Sequence, residues 1–370
     1  MPKVSIVIPS YNHEKYIGEC IQSALNQTFQ DFEVIITDDG SSDRSVKIIK
    51  EFSDPRIQLY AFDKNRGACT AVNNCISRSR GEYIAVLNSD DAWEPGKLDK
   101  QVEYLDTHPG VGAVFTRVAF VDESGKQIGP YKYRFYHIFD KENRSRYEWL
   151  NYFFSVGNCL CHPSLLIRRE CYDRVGLYDE RMASLPDLDM WVRLCLEYDL
   201  HIIPEKLVRF RLREDEVSAS GFRLPNIIRG YFEYTQILNH YLDIKDKQVL
   251  QSIFPEAGKY GPLQNEYIPY FLGRLALSVD HNSRQLWGLS LLFGMMKDPL
   301  IAKKLEETYG FAFLDLQELS ANYDVFNLSK FYSVHVQSEP FWPAEQRRLA
   351  KYILAADRQL IKMAQKIMKG

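Results

Sequence analysis

Four short apolar runs punctuate the first hundred residues, at 4–8, 34–36, 57–60 and 83–87. The first is continuous, as expected of a strand buried on both faces, and the others read as strands that follow it. Between them lie stretches of helical spacing: Tyr16, Ile17, Cys20, Ile21, Ala24 and Leu25 in the first, then 46–52 and 68–76. This is the rhythm of βαβ units, whose right-handed crossovers put helices on both faces of a mainly parallel sheet. The expected class is α/β.

Beyond residue 100 the pattern loosens. Residues 111–121, 164–167 and 201–211 read as strands and 187–198 as a helix. The polar stretch 214–221 marks a boundary near 220, dividing a unit 1–220 from a region 221–370. Helical spacing at 227–242, 267–279 and 286–296 makes the second region all-helical. The longest apolar run, 286–296, is about half of what a membrane-spanning helix needs. The N-terminal apolar run is too short for the core of a signal peptide. Seven scattered cysteines with no C-x-x-C pair support neither a zinc ribbon nor a disulfide framework, and fit a reduced, cytoplasmic protein. A net charge of -3 argues against a nucleic-acid binder.

In an open parallel sheet, ligands bind beyond the carboxyl ends of the strands. After the first strand come Pro9, Ser10, Tyr11 and Asn12. After the second come Asp38, Asp39, Gly40, Ser41, Ser42 and Asp43. Asp63 and Asn65-Arg66-Gly67 follow the third, and Asn88, Ser89, Asp90 and Asp91 the fourth. No G-x-G-x-x-G follows the first strand and no G-x-x-x-x-G-K-[ST] exists anywhere. A phosphate ligand here would need neutralising by other means. Acidic residues do so only through a metal, and Mg²⁺ or Mn²⁺ takes one or two carboxylates with substrate phosphates completing the shell. Asp90 and Asp91 stand where that requires them. Each acidic cluster also has a plainer reading, as a turn or a helix cap. Asp187 has one too, as an acid in the first turn of a helix.

Several segments taken together resemble family two glycosyltransferases of the GT-A fold. They are Val4-Ser5-Ile6-Val7-Ile8-Pro9-Ser10-Tyr11-Asn12, Thr37-Asp38-Asp39-Gly40-Ser41-Ser42-Asp43, the stretch from Gly81 to Asp91, His162-Pro163-Ser164, and Pro186-Asp187-Leu188-Asp189-Met190-Trp191-Val192-Arg193. The resemblance covers about residues 3 to 220, in the family's order and spacing. It implies a GT-A-type, Rossmann-like sheet flanked by helices, a nucleoside-diphosphate sugar donor (a UDP-sugar), Mn²⁺ or Mg²⁺, and inversion at the anomeric carbon. By position it makes Asp187 the catalytic base and Asp90 the metal ligand. Pro9, Tyr11, Asn12, Asp38, Asp39, Arg66, Ser89, Asp90 and Asp91 become the nucleotide-sugar contacts, with Asp39 accepting from the base. Four positions depart from the family pattern: Asn88 for the first Asp of D-x-D, Pro186 for the Glu before the base, Val72 for a frequent Arg, and Arg213 where some members place a metal-binding His. Metal affinity without donor is therefore expected to be weak.

Departure of a nucleoside diphosphate builds charge that a bridging metal stabilises, and the acceptor hydroxyl needs a base to take its proton. Asp189 competes locally for the base role. Trp93 and Trp191 are candidates for stacking on sugar, although buried aromatics more often belong to the core. His162 reads as structural. The acceptor implied is a glycan or lipid-linked saccharide in cell-surface polysaccharide or glycoconjugate synthesis.

The segment 345–370 stands apart. It carries seven Lys/Arg against Glu345 and Asp357, and Leu349, Ile353, Ala356, Leu360, Met363 and Ile367 form an apolar seam. Such a helix suits an anionic membrane surface, a partner helix in a homo-oligomer, or its own domain. Two other classes stay open. One is a nucleotidyltransferase- or phosphatase-like α/β enzyme, which lacks here its Gly-rich loop or its nucleophile. The other is a non-catalytic carbohydrate-binding relative.

Overall fold

The four apolar runs become β1 (Val4–Ser10), β2 (Phe32–Asp38), β3 (Ile57–Ala61) and β4 (Tyr83–Val86). The crossovers are α1 (Ile17–Leu25), α2 (Ser45–Lys50) and α3 (Ala68–Arg78). β1 pairs in parallel with both β2 and β4, and β2 with β3. The side chains of β2 and β4 are all buried and those of β1 nearly so, whereas edge strand β3 is half-covered. That is why the inner runs are apolar without alternation. The order β3-β2-β1-β4 reverses direction between β1 and β4, so their carboxyl ends flank a crevice.

The structure is a computed structural model describing residues 1–133, 135–213 and 223–329. β5 (Ala92–Trp93), α4 (Lys97–Thr107), β6 (Val111–Val121), α5 (Arg146–Ser155), β7 (Leu166–Arg168), α6 (Arg169–Val175), α7 (Pro186–Glu197) and β8 (Asp199–Arg211) follow. The sheet has eight strands in the order β3-β2-β1-β4-β7-β6-β8-β5. Its second half is mixed: β7 runs antiparallel to β4 and β6, β6 is parallel to β8, and β5 is antiparallel to β8. The strand expected over 164–167 begins later, because His162–Ser164 is a 3₁₀ turn. Pro163 has no N–H to give a ladder. β5, two residues long, is too short to leave a pattern.

α8 (Leu224–Ile237), α9 (Lys247–Ile253), α10 (Ile268–Leu277), α11 (Asn282–Met295), α12 (Pro299–Tyr309) and α13 (Phe313–Asn322) bear out the helical C-terminal region. The single helix expected over 227–242 is α8 followed by a 3₁₀ turn, Leu238–Asp243. α10 and α11 approach closely through Gly273 and Gly288: a Cβ on Gly288 would lie 2.7 Å from the Gly273 carbonyl oxygen. Met1–Leu316 forms one compact unit, and the described residues from Gln317 on stand apart from it in the chain's division. The polar stretch 214–221 and the basic segment 345–370 lie outside the described residues. All seven cysteines are buried thiols. Among the described residues no helix is long and apolar enough to cross a membrane.

Candidate active site

Side chains wire the loops beyond β1, β2 and β3 together. Asn12 adopts the left-handed conformation (φ 52°), which Asn tolerates better than most residues. Its N–H donates to Ser41 Oγ at 2.8 Å, and its Oδ1 accepts the Ser42 N–H at 2.9 Å. Asp38 is buried and accepts from the Ser41 N–H and hydroxyl at 2.8 and 2.7 Å, the turn-forming role that Asp often plays. Asp39 is buried as well and accepts the N–H groups of Arg66 and Gly67 at 2.6 and 2.9 Å. Burial pushes its pKa up, against the pull of those two bonds. Gly40 (φ 73°) lets the loops cross, since a Cβ there would sit 2.5 Å from the Lys64 carbonyl carbon. The Arg66 side chain is exposed and lies over the Phe62 ring. Pro9 is half-buried and Tyr11, 43% exposed, stands at the rim.

Beyond β4 the chain builds a cluster whose full membership the sequence did not disclose. Arg213 Nη1 lies 2.5 Å from His13 Nε2. A guanidinium only donates, so Nε2 accepts, and the ring proton sits on Nδ1, 2.7 Å from the hydroxyl of buried Ser89. Asp90 Oδ2 is 3.7 Å from Arg213 Nη1 and 3.8 Å from His13 Nε2. Asp90 remains partly exposed, but Asp91 does not. The Asp91 carboxylate accepts the Arg211 N–H at 2.8 Å, and burial followed by the charge of Asp90 pushes its pKa up. The buried Arg211 guanidinium clamps the loop through the Asp90 carbonyl at 2.8 Å, and reaches Glu19 at 2.5 Å.

This donor set bears on the metal. Among the described residues no three His, Cys, Asp or Glu side chains converge as a ready-made cage. One partly exposed carboxylate, Asp90, with the His13 imidazole beside it, fits an ion that arrives already carrying phosphates. It does not fit a preformed metal site.

Asp187 occupies the first turn of α7, where Pro186 stands among the first helical positions and the helix dipole favours acids. It is half-buried. Oδ1 accepts the Leu188 N–H at 2.8 Å, and Oδ2 accepts from Asn158 Nδ2 at 2.5 Å. Burial raises its pKa to about 6, outweighing those bonds. The segment leading into it is held from two sides. From α3, Asn73 exchanges bonds with the Tyr178 backbone at 2.8 and 3.1 Å, and the Cys69 thiol donates to the Met182 carbonyl at 3.3 Å. From α8, buried Glu233 accepts the N–H groups of Ala183, Ser184 and Leu185 at 2.8, 2.9 and 2.7 Å. The buried Cys161 thiol is raised by burial first, with the charges of Asp91 and, further down the order, Asp187 adding to the shift.

The competitors have other work. Asp189 is 2% exposed, with Oδ2 bound by Arg193 at 2.7 and 2.9 Å and Oδ1 bound by His240 at 2.7 Å. Burial alone would raise its pKa, but these partners hold it below the ordinary range. Trp93 is core, donating to the Pro163 carbonyl at 2.8 Å, and Trp191 packs edge-on against Phe115. His162 bonds the Tyr178 hydroxyl, and burial lowers its pKa to about 4. Sequence reasoning missed His13, Asn158, Arg211 and Glu233. Only Glu233 left a trace, as the sole acid on the buried, otherwise apolar side of α8.

The model of the family described as glycosyl transferase family 2 matches residues 5–170. An uncharacterized glycosyltransferase of Methanocaldococcus jannaschii is 33% identical over 238 residues, 62% of this chain and 78% of that protein. This chain belongs to the family 2 glycosyltransferases. Among this glycosyltransferase's other relatives is the putative teichuronic acid biosynthesis glycosyltransferase TuaG of Bacillus subtilis, 28% identical over 64% of this chain and 88% of that protein. The chondroitin synthase of Escherichia coli is 31% identical over 52% of this chain, but only 26% of the synthase is matched. The glycosyltransferase shares its fold with S. aureus TarS 1-349, solved in complex with UDP-GlcNAc, at a TM-score of 0.55 and 20% identity. The match covers 83% of this chain and 91% of that one.

Proposed function

We propose that this enzyme is an inverting glycosyltransferase that moves a sugar from a nucleoside-diphosphate donor, a UDP-sugar, to a hydroxyl of a glycan or lipid-linked saccharide. The observation that carries the reading is Asp187: reachable from solvent, oriented by Asn158, and with a pKa of about 6. A carboxylate in that state is ionised at neutral pH yet more basic than an ordinary one, as a general base requires. It takes the acceptor proton as the oxygen attacks the anomeric carbon, and a single displacement inverts the configuration. Asp187 makes no bond to the donor.

Pro9, Tyr11 and Asn12, with Asp38 and Asp39 behind them, form the nucleotide end, and Arg66 stands at its rim. Asp90 would hold Mn²⁺ or Mg²⁺, with Ser89 and Asp91 shaping the loop. Bound there, the ion supplies a Lewis acid to the leaving diphosphate. Arg213 adds a donor beside the same phosphates, with His13 holding its guanidinium. Residues 1–220 form the catalytic unit and 221–370 the accessory region in this reading, which also places the enzyme in the cytoplasm. The names of TuaG and the chondroitin synthase support a role in polysaccharide synthesis. The basic segment 345–370 is proposed as a peripheral membrane contact.

A thermal-shift panel of nucleoside diphosphates and nucleotide sugars, with and without Mn²⁺, tests this reading. A ligand at about 100 times its Kd stabilises by about 2.7 kcal/mol. Mn²⁺ alone is expected to leave Tm unmoved, because Asp90 is a lone carboxylate. Mn²⁺ with UDP is expected to raise it. No metal-dependent stabilisation by any member of the panel would overturn the donor reading.

A further inference from the structure

Glu233 is the one acid in α8, and it faces inward rather than toward water. Among the described residues no basic side chain is paired with it. Its two oxygens are occupied instead by three consecutive backbone N–H groups, those of Ala183, Ser184 and Leu185. Ser184 Oγ also reaches the Asn226 carbonyl at 3.3 Å, and a Cβ on Gly230 would lie 4.0 Å from the Ser184 Cβ. Those three residues end where α7 begins, and Asp187 is the second residue of α7. Charge-assisted bonds to backbone N–H are among the stronger hydrogen bonds a carboxylate makes.

We infer that Glu233 is a positioning residue for sugar transfer, a side chain from beyond the family-matched segment that fixes where α7 starts and hence where the Asp187 carboxylate meets the acceptor hydroxyl. The inference rests on the reading of Asp187 as the base. A buried carboxylate is a costly way to tie down a loop. Here its charge does something a neutral group would not, because it acts on Asp187 and favours that residue's protonated form. Among the described residues, other titratable groups stand on the elements around Asp187. From α3 comes the Cys69 thiol, pushed up to about 12, and from the stretch before β7 come the raised Cys161 thiol and His162 at about 4. From the loop before α7 comes Tyr178, raised by burial, with Asp179 bound to Arg181 and Glu180 to Asn73. On α7 itself Asp189 is matched by Arg193 and His240. Burial leads the causes that raise the Asp187 pKa, and Glu233 adds to them.

The test uses the full chain, with release of UDP from the nucleotide sugar that the thermal-shift panel selects and with UDP–Mn²⁺ as the binding probe. Glu233→Gln keeps the shape and an accepting oxygen but removes the charge. It is expected to bind UDP–Mn²⁺ as the native chain does and to lose about tenfold or more in kcat, a misplacement effect that can reach about 100-fold. The acid limb of its kcat/KM profile is expected to move to lower pH, since Asp187 ionises more readily without its acidic neighbour. Glu233→Ala, if it folds, is expected to lose more. Native kcat and an unmoved acid limb in Glu233→Gln, with Asp187→Asn inactive, would overturn this inference alone. An active Asp187→Asn would overturn the base reading and this inference with it.

Discussion

Asp187→Asn is expected to bind donor as the native chain does and to transfer sugar about 100-fold to 10,000-fold more slowly, the range a positioned general base supplies. Asparagine fits the same space and still accepts the Leu188 N–H on its oxygen, but it has no basic lone pair to take a proton. The native enzyme's kcat/KM is expected to fall below about pH 6 as Asp187 protonates, and the variant's residual rate to lack that limb. Stability gives an independent readout. The folded-state pKa of Asp187 lies above the unfolded value of about 3.9. Its ionisation therefore costs the native state on the order of 2–3 kcal/mol at neutral pH, a cost that fades as pH falls through 6 toward 4. The variant escapes that cost but loses the charge-assisted bond from Asn158. Urea unfolding at pH 7 is accordingly expected to show a variant at least as stable as the native chain. A transfer-dead enzyme that is less stable would mean instead that Asp187 serves the fold.

Asp90→Ala carries the second large effect. The loop around Asp90 is clamped through its backbone carbonyl by Arg211 and through the neighbouring Asp91 carboxylate, so truncating the side chain leaves both clamps in place. Folding is expected to be unaffected. What is lost is the carboxylate that would share an ion with the diphosphate, an interaction worth several kcal/mol to the leaving group. Transfer is expected to fall by about 1,000-fold, and Mn²⁺ to stop improving UDP binding in calorimetry. Arg213, relieved of its carboxylate neighbour, then meets the phosphates directly. Residual UDP binding in Asp90→Ala is expected to depend only weakly on added salt, since the Arg213 side chain is 11% exposed and covered charges are little screened. Metal-dependent UDP binding at native strength in this variant would place the ion elsewhere.

The parts of this molecule legible in its sequence are those written in local patterns. β1, β2 and β4 announce themselves because strands buried on both faces must be apolar throughout. α8, α10 and α11 do so through their spacing. Asp90 and Asp187 stand out because family motifs surround them. What stayed hidden was contact across distance. His13 meets Arg213 over 200 residues of chain, Asn158 meets Asp187 over 29, and Glu233 reaches Ala183 over 50. No periodicity encodes such pairs. Asp38 and Asp39 show a different limit: Asp suits a turn and a ligand contact equally, and only the bonds to Ser41, Arg66 and Gly67 reveal how much of each carboxylate the fold already uses. β7 fell short of expectation because a single proline, Pro163, delays where the ladder can begin.

The central claim is one displacement, with Asp187 taking the acceptor proton and no covalent sugar–enzyme intermediate. Proton NMR of the first-formed product, recorded with the donor that the thermal-shift panel selects, tests it most directly. An anomeric coupling opposite in configuration to that of the donor is the result predicted. Retention of the donor's configuration would contradict the account.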